Sequence, residues 1–311
     1  MIEVFSGKGS VKMDKTIKKI AVIGTGILGT QIAMIARYKN YDVYLYDSVD
    51  RMFYQTIERY FKDLRNSNIE PYIPFKYWDE ITSSCHICNS IEEAIKAADL
   101  VIEAVPEELE LKKNIFKILG KHAPVNAILA TNSSSYPVSY FEESSGRPEY
   151  CLNIHFYQIL TGKNMVDLMK GSCTKQEIFD AAVEWVKSLG MIPLVVKKEV
   201  MGFCFNRIWR SVKKEALYLW GNDFVDFRDI DRAWMIFTGM KQGPFGIMDR
   251  IGLDTVYNIE TIYFEHSKKP DDIPPKALKD MVDKKNLGVK TGKGFYCYPD
   301  PEYIGENFLK K

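Results

Sequence analysis

Short apolar runs and longer amphipathic stretches alternate through roughly the first two-thirds of the chain. The runs fall at residues 20–23, 43–46, 100–104, 127–130, 152–156 and 193–196, each bounded by polar or turn-forming residues. Continuous short apolar runs between helical patterns predict strands buried on both faces, as in a parallel sheet. Residues 91–98 read as a helix with Ser90 as its N-cap, since a serine oxygen there can take one of the first unpaired amide hydrogens. Beyond about residue 198 the strand signal stops. Segments 200–219, 226–237, 245–264 and 275–285 carry helical patterning, with Gly202 at the opening turn of the first. The pairs Gly243-Pro244 and Pro274-Pro275 mark breaks, and no internal repeat or low-complexity tract interrupts the pattern. The expectation is an α/β domain over residues 13–197 followed by an all-helical domain over residues 198–311.

The first apolar run leads straight into a phosphate-binding pattern. Residues 18–23 (KKIAVI) predict a strand, Gly24-Thr25-Gly26-Ile27-Leu28-Gly29 is G-x-G-x-x-G, and residues 31–36 (QIAMIA) predict a helix. Gly24 permits the tight turn, Gly26 lets the backbone approach a pyrophosphate, and Gly29 permits close helix–strand packing. The helix N-terminus then offers free N–H groups and its positive dipole end to the anion. The second strand ends at Asp47, 23 positions after Gly24. An acid there can accept hydrogen bonds from ribose hydroxyls and would repel a 2′-phosphate, so the expected cofactor is NAD. Arg51 lies close by and leaves NADP open. The fold class expected is a Rossmann-type, doubly wound, mostly parallel sheet.

Composition adds exclusions. The 311 residues hold 42 Lys and Arg against 41 Asp and Glu, and 46% are apolar. That balance provides no broad basic footprint for nucleic acid and no polybasic attachment to a membrane surface. No apolar run approaches the roughly 18 residues that span a bilayer, and residues 1–19 lack the apolar stretch of a signal peptide. Met13 offers an alternative start. The six cysteines are scattered, which reads as reduced thiols and a cytoplasmic location. Cys85-His86-Ile87-Cys88 lacks a second ligand pair, so no metal is expected; the stretch falls instead on the third strand.

Four histidines are candidates for chemistry. His122 closes a helix, His86 precedes one, and His266 sits among lysines at a helix end. His155 ends the apolar run Cys151-Leu152-Asn153-Ile154, which places it at the carboxyl end of a sheet strand. Ligands of open α/β sheets bind outside those ends, and a histidine beside a nicotinamide can move a hydroxyl proton as hydride leaves carbon. A purely structural histidine is the competing reading. Asp167 lies among Met165, Val166, Leu168 and Met169. An acid flanked by apolar residues is better explained as facing inward to a partner than as a solvent-facing strand residue. A carboxylate on the second imidazole nitrogen fixes the tautomer and stabilises the imidazolium.

At these residues the sequence resembles the L-3-hydroxyacyl-CoA dehydrogenase family, from Lys18 to Tyr298. The motifs are GTGILG; IEAVPEELELKKNIF from Ile102; ATNSSS from Ala130; NIHFY around His155; MGFCFNR from Met201; GPFGIMDRIGLDT from Gly243; and KTGKGFY from Lys290. The resemblance implies a Rossmann-type domain and a helical domain that usually pairs subunits, hence a homodimer. It implies His155 as catalytic base and Asp167 as its partner, where the family usually has glutamate. Ser134 resembles the serine that hydrogen-bonds the reacting oxygen and Asn206 the asparagine that helps bind the substrate carbonyl. Ile27, Leu28, Asn132, Glu107 and Lys112 fall on the cofactor side with the glycines and Asp47, Ala104 offers backbone contacts, and Lys290 closes over the cofactor. Gln158 stands in the substrate segment, where asparagine is common.

The implied reaction is reversible hydride transfer between NAD and C3 of a 3-hydroxyacyl-CoA, as in fatty acid metabolism. Two other readings stay open. Residues 51–80, where the family's CoA contacts largely lie, carry five basic and five acidic residues and so no net charge. That leaves room for a free hydroxy acid of the carnitine or sugar-acid kind. A cofactor-binding protein with little activity, like the family's crystallin relatives, is the third reading. A His–Asp pair favours the enzymes, because a binder needs no dyad.

Overall fold

The computed structural model describes residues 17–66 and 70–310, with the side chains of Phe61, Asp63, Arg65 and Ile159 excepted. The proposed start at residue 13 and the alternative Met13 lie outside the described residues. The chain divides into two compact units between Cys204 and Phe205.

The first unit is built on an eight-stranded sheet in the order β3-β2-β1-β4-β5-β6-β7-β8. Its strands are β1 Lys19–Ile23, β2 Asp42–Tyr46, β3 His86–Ile87, β4 Leu100–Glu103, β5 Ile128–Thr131, β6 Cys151–Phe156, β7 Met165–Lys170 and β8 Ile192–Val196. The first six are mutually parallel. β7 turns back antiparallel to β6, and β8 follows it in parallel. The apolar runs anticipate six of these strands to within a residue or two. β7 was not among those runs, because Asp167 and Lys170 interrupt its apolar pattern.

Crossover helices cover both faces. They are α1 Ile27–Tyr38, α2 Met52–Asn66, α3 Trp78–Ser83, α4 Ile91–Ile95, α5 Leu109–His122 and α6 Gln176–Ser188. Successive side chains of a strand point to opposite faces, and the core divides accordingly. Ile20 and Val22 of β1 pack in one apolar cluster with α1, α3 and α6, while Ala21 and Ile23 pack in the other with α4 and α5. α4 begins as expected, with the Ser90 hydroxyl accepting from the Glu93 N–H at 3.1 Å. Cys85 and Cys88 flank the two residues of β3, and all six cysteines are free thiols.

The second unit is helical: α7 Phe205–Gly221, α8 Phe227–Thr238, α9 Pro244–Ile251, α10 Leu253–Ser267 and α11 Lys276–Asp283. Two expectations are corrected here. The helix expected from residue 200 begins at Phe205, because Gly202 and Phe203 both take left-handed φ values of 81° and 51°, which an α-helix does not accommodate. The single helix expected over residues 245–264 is two, parted at Gly252 with φ 100°. Among the described residues no helix is long and apolar enough to cross a membrane.

Candidate active site

The glycine loop joins β1 to α1. Gly24 has φ 96°, and a Cβ there would stand 2.6 Å from the Ala104 carbonyl oxygen. A Cβ on Gly29 would stand 1.9 Å from the Gly24 carbonyl oxygen. Both positions therefore require glycine. Gly26 is different: a Cβ there meets nothing within 4 Å. It is the N-cap of α1 and supplies no side-chain cap, so the first amide hydrogens of the helix, which run through Ile27 and Leu28, are available to an external acceptor. A glycine kept where the protein itself leaves room fits a site shaped for a pyrophosphate.

Beyond the loop, a cleft of about 260 Å³ is lined by Thr25, Asp47, Arg51, Tyr54 and Cys88, among others. Asp47 follows β2, and its carboxylate ties the cleft to the loop. Its Oδ2 accepts from the Thr25 N–H at 2.6 Å and the Thr25 hydroxyl at 3.1 Å, while Oδ1 accepts from the Val49 N–H at 2.9 Å. The loop, the helix end and the adjoining acid together suit a nicotinamide dinucleotide.

On the other side of the loop, β4 ends in a buried charge cluster. Glu103 lies opposite Thr131 of β5. Its Oε1 accepts from the Lys112 ammonium and the Val105 N–H, both at 2.8 Å, and its Oε2 from the Thr131 hydroxyl at 2.7 Å. Lys112 also approaches Glu107 Oε2 at 3.3 Å. Burial alone would lower the Lys112 pKa, but the two carboxylates outweigh it and hold the ammonium above its ordinary value. Glu107 Oε1 in turn accepts from the Ser133 hydroxyl at 2.5 Å and the Ser135 N–H at 2.9 Å. The cluster clamps the serine loop after β5. Ser133 and Ser135 are buried and Ser134 between them is half-exposed.

The same loop is fastened to β6. Asn132 Oδ1 accepts from the Phe156 N–H at 2.8 Å. Asn153 Oδ1 accepts from the Val138 N–H at 2.8 Å, and its amide donates to the Tyr136 carbonyl at 3.0 Å. These bonds fix the serine loop beside the next residue of interest.

His155 and Asp167 are directly opposed across the antiparallel β6–β7 pair, so their side chains share one face of the sheet. His155 is 3% exposed and Asp167 fully buried. His155 Nδ1 stands 3.3 Å from Asp167 Oδ2. The Tyr157 hydroxyl donates to that same oxygen at 2.6 Å. The Phe203 ring lies parallel to the imidazole, 5.1 Å between centroids, and Tyr157 meets the imidazole edge-on at 4.6 Å. Nδ1 is the ring nitrogen turned to the carboxylate, which leaves Nε2 facing away from it. A histidine with one nitrogen oriented by an acid can exchange a proton through the other.

Gln158 is exposed, and its carbonyl accepts from the Thr161 N–H. Asn206 sits in the first turn of α7 in the second unit. Lys290, also in the second unit, is exposed and pairs with Asp254 at 2.5 Å. Sequence reasoning missed Glu103, Asn153, Thr25 and Tyr157. Glu103 and Asn153 carried a usable signal: each is a polar residue inside an apolar strand run, the pattern that drew attention to Asp167. Among the described residues no group of His, Cys, Asp and Glu clusters as metal ligands would.

Comparison with known proteins bears on both units. Residues 19–200 match the family model "3-hydroxyacyl-CoA dehydrogenase, NAD binding domain", and residues 202–298 match "3-hydroxyacyl-CoA dehydrogenase, C-terminal domain". The chain is 30% identical over 288 residues to the mitochondrial hydroxyacyl-coenzyme A dehydrogenase of Rattus norvegicus, covering 91% of each chain. It is similar to the solved structure of a diketoreductase acting on dicarbonyl compounds, with 32% identity, TM-score 0.78, and 91% and 99% of the two chains covered. The (S)-3-hydroxybutyryl-CoA dehydrogenase of Ralstonia eutropha superposes with TM-score 0.80 at 26% identity, over 92% of this chain and all of that one.

Proposed function

The chain belongs to the 3-hydroxyacyl-CoA dehydrogenase family and is an NAD-dependent oxidoreductase, and on that premise we propose that it interconverts a 3-hydroxyacyl-CoA and its 3-oxo form with His155 as the proton-transferring residue. The observation that carries this reading is the buried His155–Asp167 pair at 3.3 Å, at the carboxyl end of a strand in the same unit as the glycine loop.

Bound NAD supplies the hydride acceptor. The first amides of α1, at Ile27 and Leu28, hold the pyrophosphate where Gly26 leaves room, and Asp47 receives the ribose hydroxyls. Lys112 acts through Glu103 and Glu107, which brace the serine loop, while the Ala104 backbone lines the glycine turn. In oxidation, His155 Nε2 accepts the C3 hydroxyl proton as hydride leaves C3; in reduction the imidazolium returns it. Asp167 keeps the Nδ1 proton oriented and stabilises the charge that forms on the ring. The Ser134 hydroxyl hydrogen-bonds the reacting oxygen, where charge develops in the transition state. Asn206 and Gln158 are assigned to substrate binding, Asn132 to shaping the cofactor-side loop, and Lys290 to cofactor closure, on motif position. The helical unit pairs two copies into a homodimer.

A second reading has its own support. The neutral charge of residues 51–80 and the similarity to a diketoreductase of dicarbonyl compounds favour a free hydroxy or dicarbonyl substrate. The test is NADH absorbance with acetoacetyl-CoA and with free 3-oxo acids and diketones. The first reading expects kcat/KM for acetoacetyl-CoA to exceed that of the free compounds. Higher kcat/KM for the free compounds transfers the assignment to the second, and no turnover of either class contradicts both.

A further inference from the structure

The carboxylate of Asp167 is bonded unevenly. Its Oδ2 accepts the Tyr157 phenol at 2.6 Å and faces His155 Nδ1 at 3.3 Å, whereas its Oδ1 is buried and has no hydrogen-bond partner. The Tyr157 bond is the shorter of the two by a wide margin, and a phenol bonded to a carboxylate is a strong, charge-assisted donor. The group most firmly engaged with the acid is therefore the tyrosine and not the histidine. Opposite Asp167 on the far side, β8 presents the apolar Leu194, and the segment before α7 brings Phe203 against the imidazole. Among the described residues, His155 and Tyr157 are the titratable groups in contact with the Asp167 carboxylate.

We propose that Tyr157 is a positioning residue for the hydride-transfer reaction, acting through Asp167: its hydroxyl anchors the short aspartate side chain on the oxygen that faces His155. The inference rests on the reading of His155 as the proton-transferring residue. Aspartate is one methylene shorter than glutamate, so it reaches across the strand pair with less slack, and without an anchor its buried carboxylate would be free to turn its unpartnered oxygen to another donor.

Tyr157→Phe tests this, since it deletes the hydroxyl and keeps the ring that meets the imidazole edge-on. In the oxidation direction kcat should fall about tenfold, the scale of one charge-assisted hydrogen bond. KM should be unchanged, as for a contribution made only in the transition state, and so should NADH affinity by fluorescence. The double variant Tyr157→Phe/Asp167→Glu should regain most of the lost kcat, because the longer acid reaches the ring without the anchor. A Tyr157→Phe enzyme with wild-type kcat overturns the proposal, as does a double variant no faster than the single one. A Tyr157→Phe chain that fails to fold, by circular dichroism, also overturns it, since the hydroxyl would then be serving the fold. If His155→Ala turns over as fast as the wild type, the reading of the base fails; if His155→Ala is slow while Tyr157→Phe matches the wild type, the present inference alone fails.

Discussion

At the scale of single residues, the site depends on polar groups whose second bond is to the protein. Asp47 illustrates this: the side chain assigned to the ribose also holds Thr25 and Val49 in place. Asp47→Ala should therefore weaken NAD by about tenfold or more, as expected for losing a charge-assisted hydrogen bond. It should also raise the kcat/KM ratio of NADP to NAD, because the carboxylate that repels a 2′-phosphate is gone. An unchanged ratio removes Asp47 from the ribose. The glycine loop was legible in sequence, because glycines at fixed spacing state a backbone requirement, and the structure accounts for Gly24 and Gly29 by close contacts. His155 and Asp167 were legible from strand position and from an acid set among apolar residues, and the antiparallel register brings them face to face. Tyr157 was not, since a tyrosine after a strand is unremarkable until the partner of its hydroxyl is known. Lys112 was expected on the cofactor side from motif position alone; its bonds to Glu103 and Glu107 depend on how the chain turns from β4 into α5, which residue type alone does not encode.

At the scale of elements, local chemistry decided where helices begin and end. Ser90 and Asp226 cap α4 and α8 through their side chains, and such caps are readable because the residue type is the signal. The break at Gly252 was not, since an isolated glycine is tolerated inside a helix and only its φ of 100° makes it a stop. The second unit is held by two buried acids. Asp231 accepts from the Phe245 and Gly246 N–H groups at the start of α9 and from the Tyr296 hydroxyl; Asp249 accepts from the Phe295 and Tyr296 N–H groups and the Tyr298 hydroxyl. The motifs GPFGIMDRIGLDT and KTGKGFY thus meet through carboxylates as well as apolar packing. Burial pushes Asp231 up to about 6, against the hydrogen bonds that favour its charged form. Because this value is raised on folding, the folded chain binds the extra proton between about pH 6 and the ordinary aspartate range near 4. Stability from this group is present at low pH and is lost as pH rises through 6. Asp231→Asn removes that titration. The melting temperature of the wild type relative to Asp231→Asn should increase between pH 7.5 and pH 5, and a difference that stays constant contradicts the assignment.

At the scale of the whole molecule, the chain pairs a doubly wound cofactor unit with a helical unit, and the change from strand to helix patterning announced both. The helical unit leaves large apolar side chains in water: Ile208 is 61% exposed, Ile236 60% and Phe237 92%. Side chains of this kind are typical of surfaces that bury against another subunit. Sedimentation should find a homodimer, and Ile236→Glu/Phe237→Glu should shift it toward monomer; a monomeric wild type contradicts the pairing. The account as a whole stands on one proton. Rapid mixing of NAD-loaded enzyme with its hydroxy substrate, followed by NADH absorbance, reports hydride transfer in a single turnover. His155→Ala should slow that step by at least about a hundredfold, the usual scale of general acid–base catalysis, while NAD affinity is retained. A His155→Ala enzyme that transfers hydride at the wild-type rate would contradict the account.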